Sequence, residues 1–198
     1  MTIQEQKKKI RQQIRSDIKR AETNACGEKA ALFLASLRQY CEAETVLSYL
    51  PLGDEISTEA IHNTVLRDGK KLALPRIIGN TMDYYFLDSE KPLSAQIEKG
   101  DYGIWEPAEN LKKLSITDID ASFFIIFPGR AFTKDGRRLG RGKGFYDSYF
   151  KPFSNELKEA KPFFAGLCYE VQILDELPSE EHDIGMDCVI TDQQILFC

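Results

Sequence analysis

Apolar residues recur every four positions near the start of the chain. Ile10, Ile14 and Ile18 form one narrow stripe in an otherwise polar stretch, which predicts an amphipathic helix over residues 4–20. A second helix is expected over about Glu28–Tyr40, with Ala31, Leu34 and Leu37 facing inward. Thr45–Leu50 (TVLSYL) reads as a short buried strand stopped by Pro51 and Gly53. A third helix follows, capped by Ser57 or Thr58 and ended by Gly69. Lys71–Leu74 and Met82–Leu87 are strand-like, whereas Lys91–Pro107 is expected as an ordered loop on account of Trp105 and Pro107. Ser122–Phe127 is the strongest strand pattern. Phe145–Phe150 should begin a helix, Pro162–Cys168 is another strand, and Cys188–Thr191 with Gln194–Phe197 close the chain as strands or a hairpin. Strands alternating with helices predict an α/β fold: one domain over residues 1–198, with an open, mostly parallel, twisted sheet flanked by helices.

In such sheets, ligands gather beyond the carboxyl ends of the strands. Two such ends are rich in chemistry, Leu50–Ser57 and Pro128–Tyr146. The second contains FPGRAFTKDGRRLGRGKGFYDSY, expected as a loop emerging from the buried strand. Arg138, Arg141 and Lys143 are interleaved there with Gly140, Gly142 and Gly144. Glycine lets backbone N–H groups approach an anion closely and the cations neutralise it, so this is the composition of a phosphate-binding loop. Neither a Walker A motif nor a dinucleotide fingerprint is present, since Phe145 stands where the third glycine of the latter would be.

Charge strengthens that picture. The net charge is −5, yet residues 4–20 carry seven Lys/Arg against two acids, and residues 130–151 another seven against two. Two basic segments in an acidic body suit a local anionic ligand and argue against a nucleic-acid partner. The 198 residues are enough to bury a full core. No apolar run approaches the ~20 residues of a membrane helix, and no signal peptide is visible. Five scattered cysteines without CxxC spacing fit reduced thiols, a cytoplasmic protein and no zinc site.

Lys7 and Arg11, four apart, share a helix face and can converge on one ligand; the alternative is a solvated basic face. Asp147, just past the glycines, is a candidate Mg²⁺ ligand or else a first-turn acid favoured by the helix dipole. In EEHDIGMD, Asp183 is a candidate to join it, and His182 a candidate base. Glu55 is placed to accept from a substrate's amino groups, or simply to favour the helix that follows. Phe145, Tyr146 and Trp105 are able to stack on a flat heterocycle, though aromatics most often fill cores.

RLGRGKGFYDSYF at Arg138–Phe150 closely resembles the glycine-rich motif of the 5-formyltetrahydrofolate cyclo-ligase family. The K-x-x-x-R pair Lys7/Arg11, YLPLGDEIST, FPGRAFTKDG, GLCYEVQ and LPSEEHDIGMDCVIT follow in that family's order. The resemblance implies a Rossmann-like sheet of the sugar-phosphate isomerase/CoA-transferase kind. It implies ATP- and Mg²⁺-dependent cyclisation of 5-formyltetrahydrofolate by a cytoplasmic monomer acting on two small molecules. ATP would be held by Lys7, Arg11, Arg138, Leu139, Gly140, Arg141, Gly142, Lys143, Gly144, Phe145 and Tyr146. The folate would be held by Leu50, Glu55 and the 141–145 segment, with Arg141, Lys143 and Tyr146 catalytic and Asp147 and Asp183 on the metal. Phe145 replaces a common tyrosine, and Arg130 stands where an apolar residue is usual, with no role assigned to it. A paralogue acting on another formylated or carboxylated compound, or a non-catalytic folate- or nucleotide-binding protein, are the alternatives.

Overall fold

The computed structural model describes residues 2–21, 25–153, 161–178, 180 and 183–198. Helix α1 (Ile3–Arg20) starts with a capping box, in which the Thr2 hydroxyl accepts from the Glu5 N–H while the Glu5 carboxylate accepts from the Thr2 N–H. Its apolar stripe delivers Ile14 and Ile18 to the core. The expected second helix is two: α2 (Cys26–Ser36) and α3 (Arg38–Glu42) break at Leu37, whose backbone is extended (φ −75°, ψ 127°). Leu37 is still buried, so the break keeps the inward stripe while turning the chain.

Strand β1 (Thr45–Leu47) is shorter than expected, and α4 (Glu59–Arg67) follows it. β2 (Lys71–Ile78) runs on through Pro75 and pairs antiparallel with β3 (Thr81–Phe86). The stretch expected as a loop contains a hairpin, β4 (Ile97–Lys99) with β5 (Trp105–Pro107). Next come β6 (Phe123–Pro128), β7 (Ala131–Thr133), β8 (Arg138–Leu139), α5 (Phe145–Phe150), β9 (Phe163–Leu167), β10 (Ile173–Leu174), β11 (Cys188–Ile190) and β12 (Ile195–Phe197).

Among the described residues the main sheet has seven strands in the order β12-β11-β9-β6-β1-β2-β3. The five central strands are parallel and both outer strands antiparallel, which is the mostly parallel sheet expected. From β1 the chain adds β2 on one side, and from β6 it adds β9 and β11 on the other. The winding direction therefore reverses between β1 and β6, the place where a crevice opens at the carboxyl ends of such a sheet.

Alternation along β6 explains two cores. Phe124 and Ile126 face α1, α2 and α4, whereas Phe123, Ile125 and Phe127 face α5. Phe127, Phe150 and Phe164 form a ring cluster with centroids 5.0–5.7 Å apart, which anchors α5 to the sheet. No helix among the described residues is long and apolar enough to cross a membrane.

Beyond β6, the segment expected as a bare loop carries β7 and β8, part of a small sheet ordered β10-β7-β8. Phe132 of β7 turns back so that a Cβ on Gly129 or Gly166 would lie 2.5 Å from its ring. Those two glycines make the slot that holds the small sheet against the large one.

The end of β1 is fixed from α4. Thr58, at the N-terminus of the helix, makes no side-chain cap; its hydroxyl donates instead to the Tyr49 carbonyl at 2.9 Å. His62 Nε2 lies 2.9 Å from the Ser48 hydroxyl, and its ring is 4% exposed. Burial lowers its pKa to about 4, only partly opposed by the Tyr49 backbone. Below its ordinary value of about 6.5 the unfolded chain takes up a proton that the folded ring refuses, so stability falls as pH drops from there toward about 4. His62→Gln should remove this component. In urea unfolding at pH about 7 and about 5, the wild type should lose about 2 kcal/mol more than the variant; equal losses would mean that His62 is not held neutral.

Candidate active site

A cleft of about 370 Å³ opens where β1 and β6 end. Helix α1 forms one wall, because Lys7 and Arg11 share its inward face with Ile14 and Ile18, one to three turns nearer the N-terminus. The loop after β1, the glycine-rich segment and α5 form the floor and far wall, and the β4–β5 hairpin closes the remaining side. One end is polar and basic. The other is lined by Pro75, Ile77, Met82, Ile104 and Trp105, a slot of the kind that accepts a flat apolar body.

The expected ATP-, folate- and metal-binding residues all lie on this one cleft: Lys7, Arg11, Leu50, Glu55, each of Arg138–Asp147, and Asp183. His182 lies outside the described residues. The side chains are engaged in distinct ways. Lys7 is nearly buried and binds Glu180 at 2.9 Å and Asp183 at 2.8 Å. Burial opposes its charge, but those two carboxylates outweigh it and raise its pKa. Arg11 donates from Nε to the Gly140 carbonyl at 2.8 Å, tying α1 to the glycine-rich segment. Burial and the nearby Arg130 charge lower its pKa, with Asp183 opposing.

Gly142 has φ +97°, and a Cβ there would stand 3.4 Å from the Arg11 guanidinium. The backbone conformation is what favours glycine here, since a Cβ would make only ordinary contact with the Arg11 guanidinium.

Arg138 is the most enclosed cation, with its side chain 3% exposed. It binds Asp147 at 2.6 Å and the Pro128 carbonyl at 3.2 Å, between the rings of Phe127 and Tyr146. This geometry makes it a pin joining the end of β6 to α5. Arg141 binds Glu55 through Nε at 2.8 Å and Asp54 through Nη2. Burial opposes its charge, and the two carboxylates more than compensate, raising its pKa. Lys143 extends over the Tyr102 ring, 5.6 Å from its centroid. Among the described residues neither Lys143 nor Arg11 forms an ion pair with a carboxylate. Burial raises the Tyr146 pKa, so its phenol is a donor at neutral pH and not a base.

Asp54 and Tyr102 went unread in the sequence. Asp54 stands beside Glu55 in a loop already singled out, so adjacency was its available signal. Tyr102 lies in the hairpin that had no readable period. Arg130, left without a role, forms an ion pair with Asp54.

Asp147 and Asp183 lie near each other, since the N–H of Ile184 approaches Asp147 Oδ1 at 3.5 Å. Among the described residues no group of three or more His, Cys, Asp or Glu side chains gathers to hold a metal. The described residues thus offer a carboxylate pair, Asp147 and Asp183. That fits Mg²⁺, which keeps waters and takes one or two carboxylates together with phosphate oxygens.

The sequence profile of the 5-formyltetrahydrofolate cyclo-ligase family matches residues 3–192. The 5-formyltetrahydrofolate cyclo-ligase of Mus musculus is 34% identical over 154 residues, covering 77% of this chain and 75% of that protein. The protein of that name in Haemophilus influenzae is 30% identical over 185 residues, covering 89% and 94%. The NMR structure of Aquifex aeolicus 5,10-methenyltetrahydrofolate synthetase superposes with a TM-score of 0.78 at 29% identity, covering 96% of this chain and 92% of that one. With the glycine-rich segment, the Lys7/Arg11 face and the Glu55 loop on one cleft, and a match running nearly end to end, the chain belongs to the 5-formyltetrahydrofolate cyclo-ligase family.

Proposed function

We propose that this chain catalyses the ATP-dependent cyclisation of 5-formyltetrahydrofolate to 5,10-methenyltetrahydrofolate, releasing ADP and phosphate. The observation that carries the reading is the convergence of Lys7, Arg11, the glycine-rich segment, Leu50 and Glu55 on one cleft with a basic end and an apolar end. Family membership supplies the reaction class, and the two ends suit a polyphosphate and a pterin. The reading includes a cytoplasmic monomer that needs neither nucleic acid nor membrane, in keeping with its acidic body.

A formyl oxygen is a poor leaving group, and phosphorylation makes it a good one. In this reading it attacks the γ-phosphorus and ADP departs, leaving a phosphorylated imidate. The N10 amine adds to the imidate carbon and gives up its proton, and phosphate leaves with the carbon–oxygen bond. Phosphoryl transfer asks a protein mainly for positioning and charge neutralisation. Lys143 and Arg11, which form no ion pair with a carboxylate among the described residues, are the cations readiest for phosphate oxygens. Lys7, Arg138 and the 139–146 segment complete the nucleotide side, and Tyr146 contributes a hydroxyl donor. Arg141 stands where the two substrates meet.

Leu50 would pack on the pterin. Glu55 accepts from the Leu52 N–H at 2.9 Å and from Arg141, and a carboxylate has about four acceptor sites, leaving capacity for an amino group. Asp147 and Asp183 would hold Mg²⁺, which when bound polarises and bridges phosphate oxygens.

The direct test mixes purified protein, Mg·ATP and 5-formyltetrahydrofolate and follows the near-ultraviolet absorbance of the methenyl product. Absence of product beside an active control enzyme would falsify the proposal. Lys143→Ala should lower kcat by about 10²-fold or more with the melting temperature unchanged; near-normal turnover would remove Lys143 from the reacting centre. Glu55→Gln should raise the KM for folate more than that for ATP, and the reverse order would undo the assignment of Glu55 to the pterin.

A further inference from the structure

Arg141 is held by two carboxylates of the loop after β1. Its Nε donates to Glu55 Oε1 at 2.8 Å and its Nη2 to Asp54 Oδ1. A guanidinium carries five N–H donors in a rigid fork, so these two bonds fix its plane while Nη1 keeps both of its hydrogens. Asp54 is itself fixed from behind, because its other oxygen, Oδ2, accepts from Arg130 Nη1.

Arg130 is well placed to act as that anchor. Its side chain is 11% exposed. Its backbone N–H donates to the Leu139 carbonyl at 2.7 Å, and its own carbonyl accepts from the buried Gln172 amide at 3.0 Å. Gln172 also bonds the Gly129 carbonyl at 2.8 Å. A row of contacts thus runs from the base of the small sheet through Arg130 and Asp54 to Arg141 on the glycine-rich loop.

We infer that Asp54, anchored by Arg130, is a positioning residue for Arg141, setting the guanidinium at the junction of the nucleotide and folate halves of the cleft. The inference rests on the function proposed above. It also gives Arg130 its role, as the cation that holds Asp54 from the side away from Arg141. The hydrogen bonds from Arg130 and Arg141 outweigh the burial of Asp54 and hold its carboxyl below the usual range, so it stays ionised at neutral pH. Asp54 thus offsets two guanidiniums at once, those of Arg130 and Arg141.

The test uses full-length wild type, Asp54→Asn, Arg130→Met, Arg141→Lys, Arg141→Ala and the Asp54→Asn/Arg141→Ala double variant. Turnover and calorimetric binding of Mg·ATP are measured for each. Asp54→Asn should lower kcat and weaken ATP binding by about tenfold, with the folate KM changed less than about twofold. Arg130→Met should reproduce it. In the Arg141→Ala background, Asp54→Asn should cost less than about twofold more, because its effect passes through Arg141. Arg141→Lys keeps the charge but not the fork, and should lose about as much as Asp54→Asn.

Full activity in Asp54→Asn or Arg141→Lys, or the same cost for Asp54→Asn with and without Arg141, overturns the inference. Amide hydrogen exchange of residues 140–144 decides the matter apart from turnover. It should speed up by about tenfold in Asp54→Asn, and unchanged exchange overturns the inference even if the wild type makes no methenyl product. Failure of the wild type to bind ATP or turn over folate counts instead against the proposed function.

Discussion

Six cationic side chains, Lys7, Arg11, Arg130, Arg138, Arg141 and Lys143, are gathered in and behind one cleft. Two unit charges ~5 Å apart repel by about 3 kcal/mol at an effective dielectric of ~20, so such a crowd needs counter-charges to fold at all. The chain supplies them one by one: Glu180 and Asp183 to Lys7, Asp147 to Arg138, Asp54 and Glu55 to Arg130 and Arg141. These pairs bridge different elements, all but Arg138–Asp147 at long range in the chain, and each therefore does a second job. The first joins α1 to the segment before β11, the second joins β8 to α5, and the third joins the loop after β1 to the glycine-rich loop. The cleft is held in shape by the same bonds that make its charge tolerable.

That dependence runs down into the sheet. The ion pairs can form because β1 and β6 are parallel neighbours in register, Thr45 with Phe123, so their carboxyl ends finish side by side. The reversal of winding between them leaves no helix over that edge, and the loops there are free to meet. Thr58 and His62 pin the end of β1, while the Phe127–Phe150 contact pins the end of β6 to the last residue of α5.

Much of this was readable in the chain. The i, i+4 stripe of Ile10, Ile14 and Ile18 carried α1, and the run Phe123–Phe127 carried β6, since each signal is local and longer than one turn or strand pair. The glycine–cation alternation at 138–144 showed the anion-binding character directly. What resisted reading was non-local or short. β8 and β10 have two residues each and β7 three, too few to show a period, and β10 joins β7 only by returning some 40 residues later. The break at Leu37 keeps the apolar spacing intact, so periodicity passes straight over it. Asp54 finds Arg130 and Arg141 at sequence separations of 76 and 87 residues, and no local pattern announces such partners.

The choice of cation along the glycine-rich segment follows from the same electrostatics. Arginine occupies 138 and 141, where a side chain satisfies more than one acceptor or bridges an acceptor and a ring, and its planar fork does this with little further loss of freedom. Lysine occupies 143, where the neighbour is the face of Tyr102 and, among the described residues, no carboxylate is bound. An ammonium on a four-carbon stem is a point charge that can follow a moving phosphate, whereas a doubly held guanidinium cannot. The loop therefore carries one fixed cation and one adjustable one, two residues apart. Exchanging them, with lysine at 141 and arginine at 143, would conserve the net charge and lose the distinction that the structure builds.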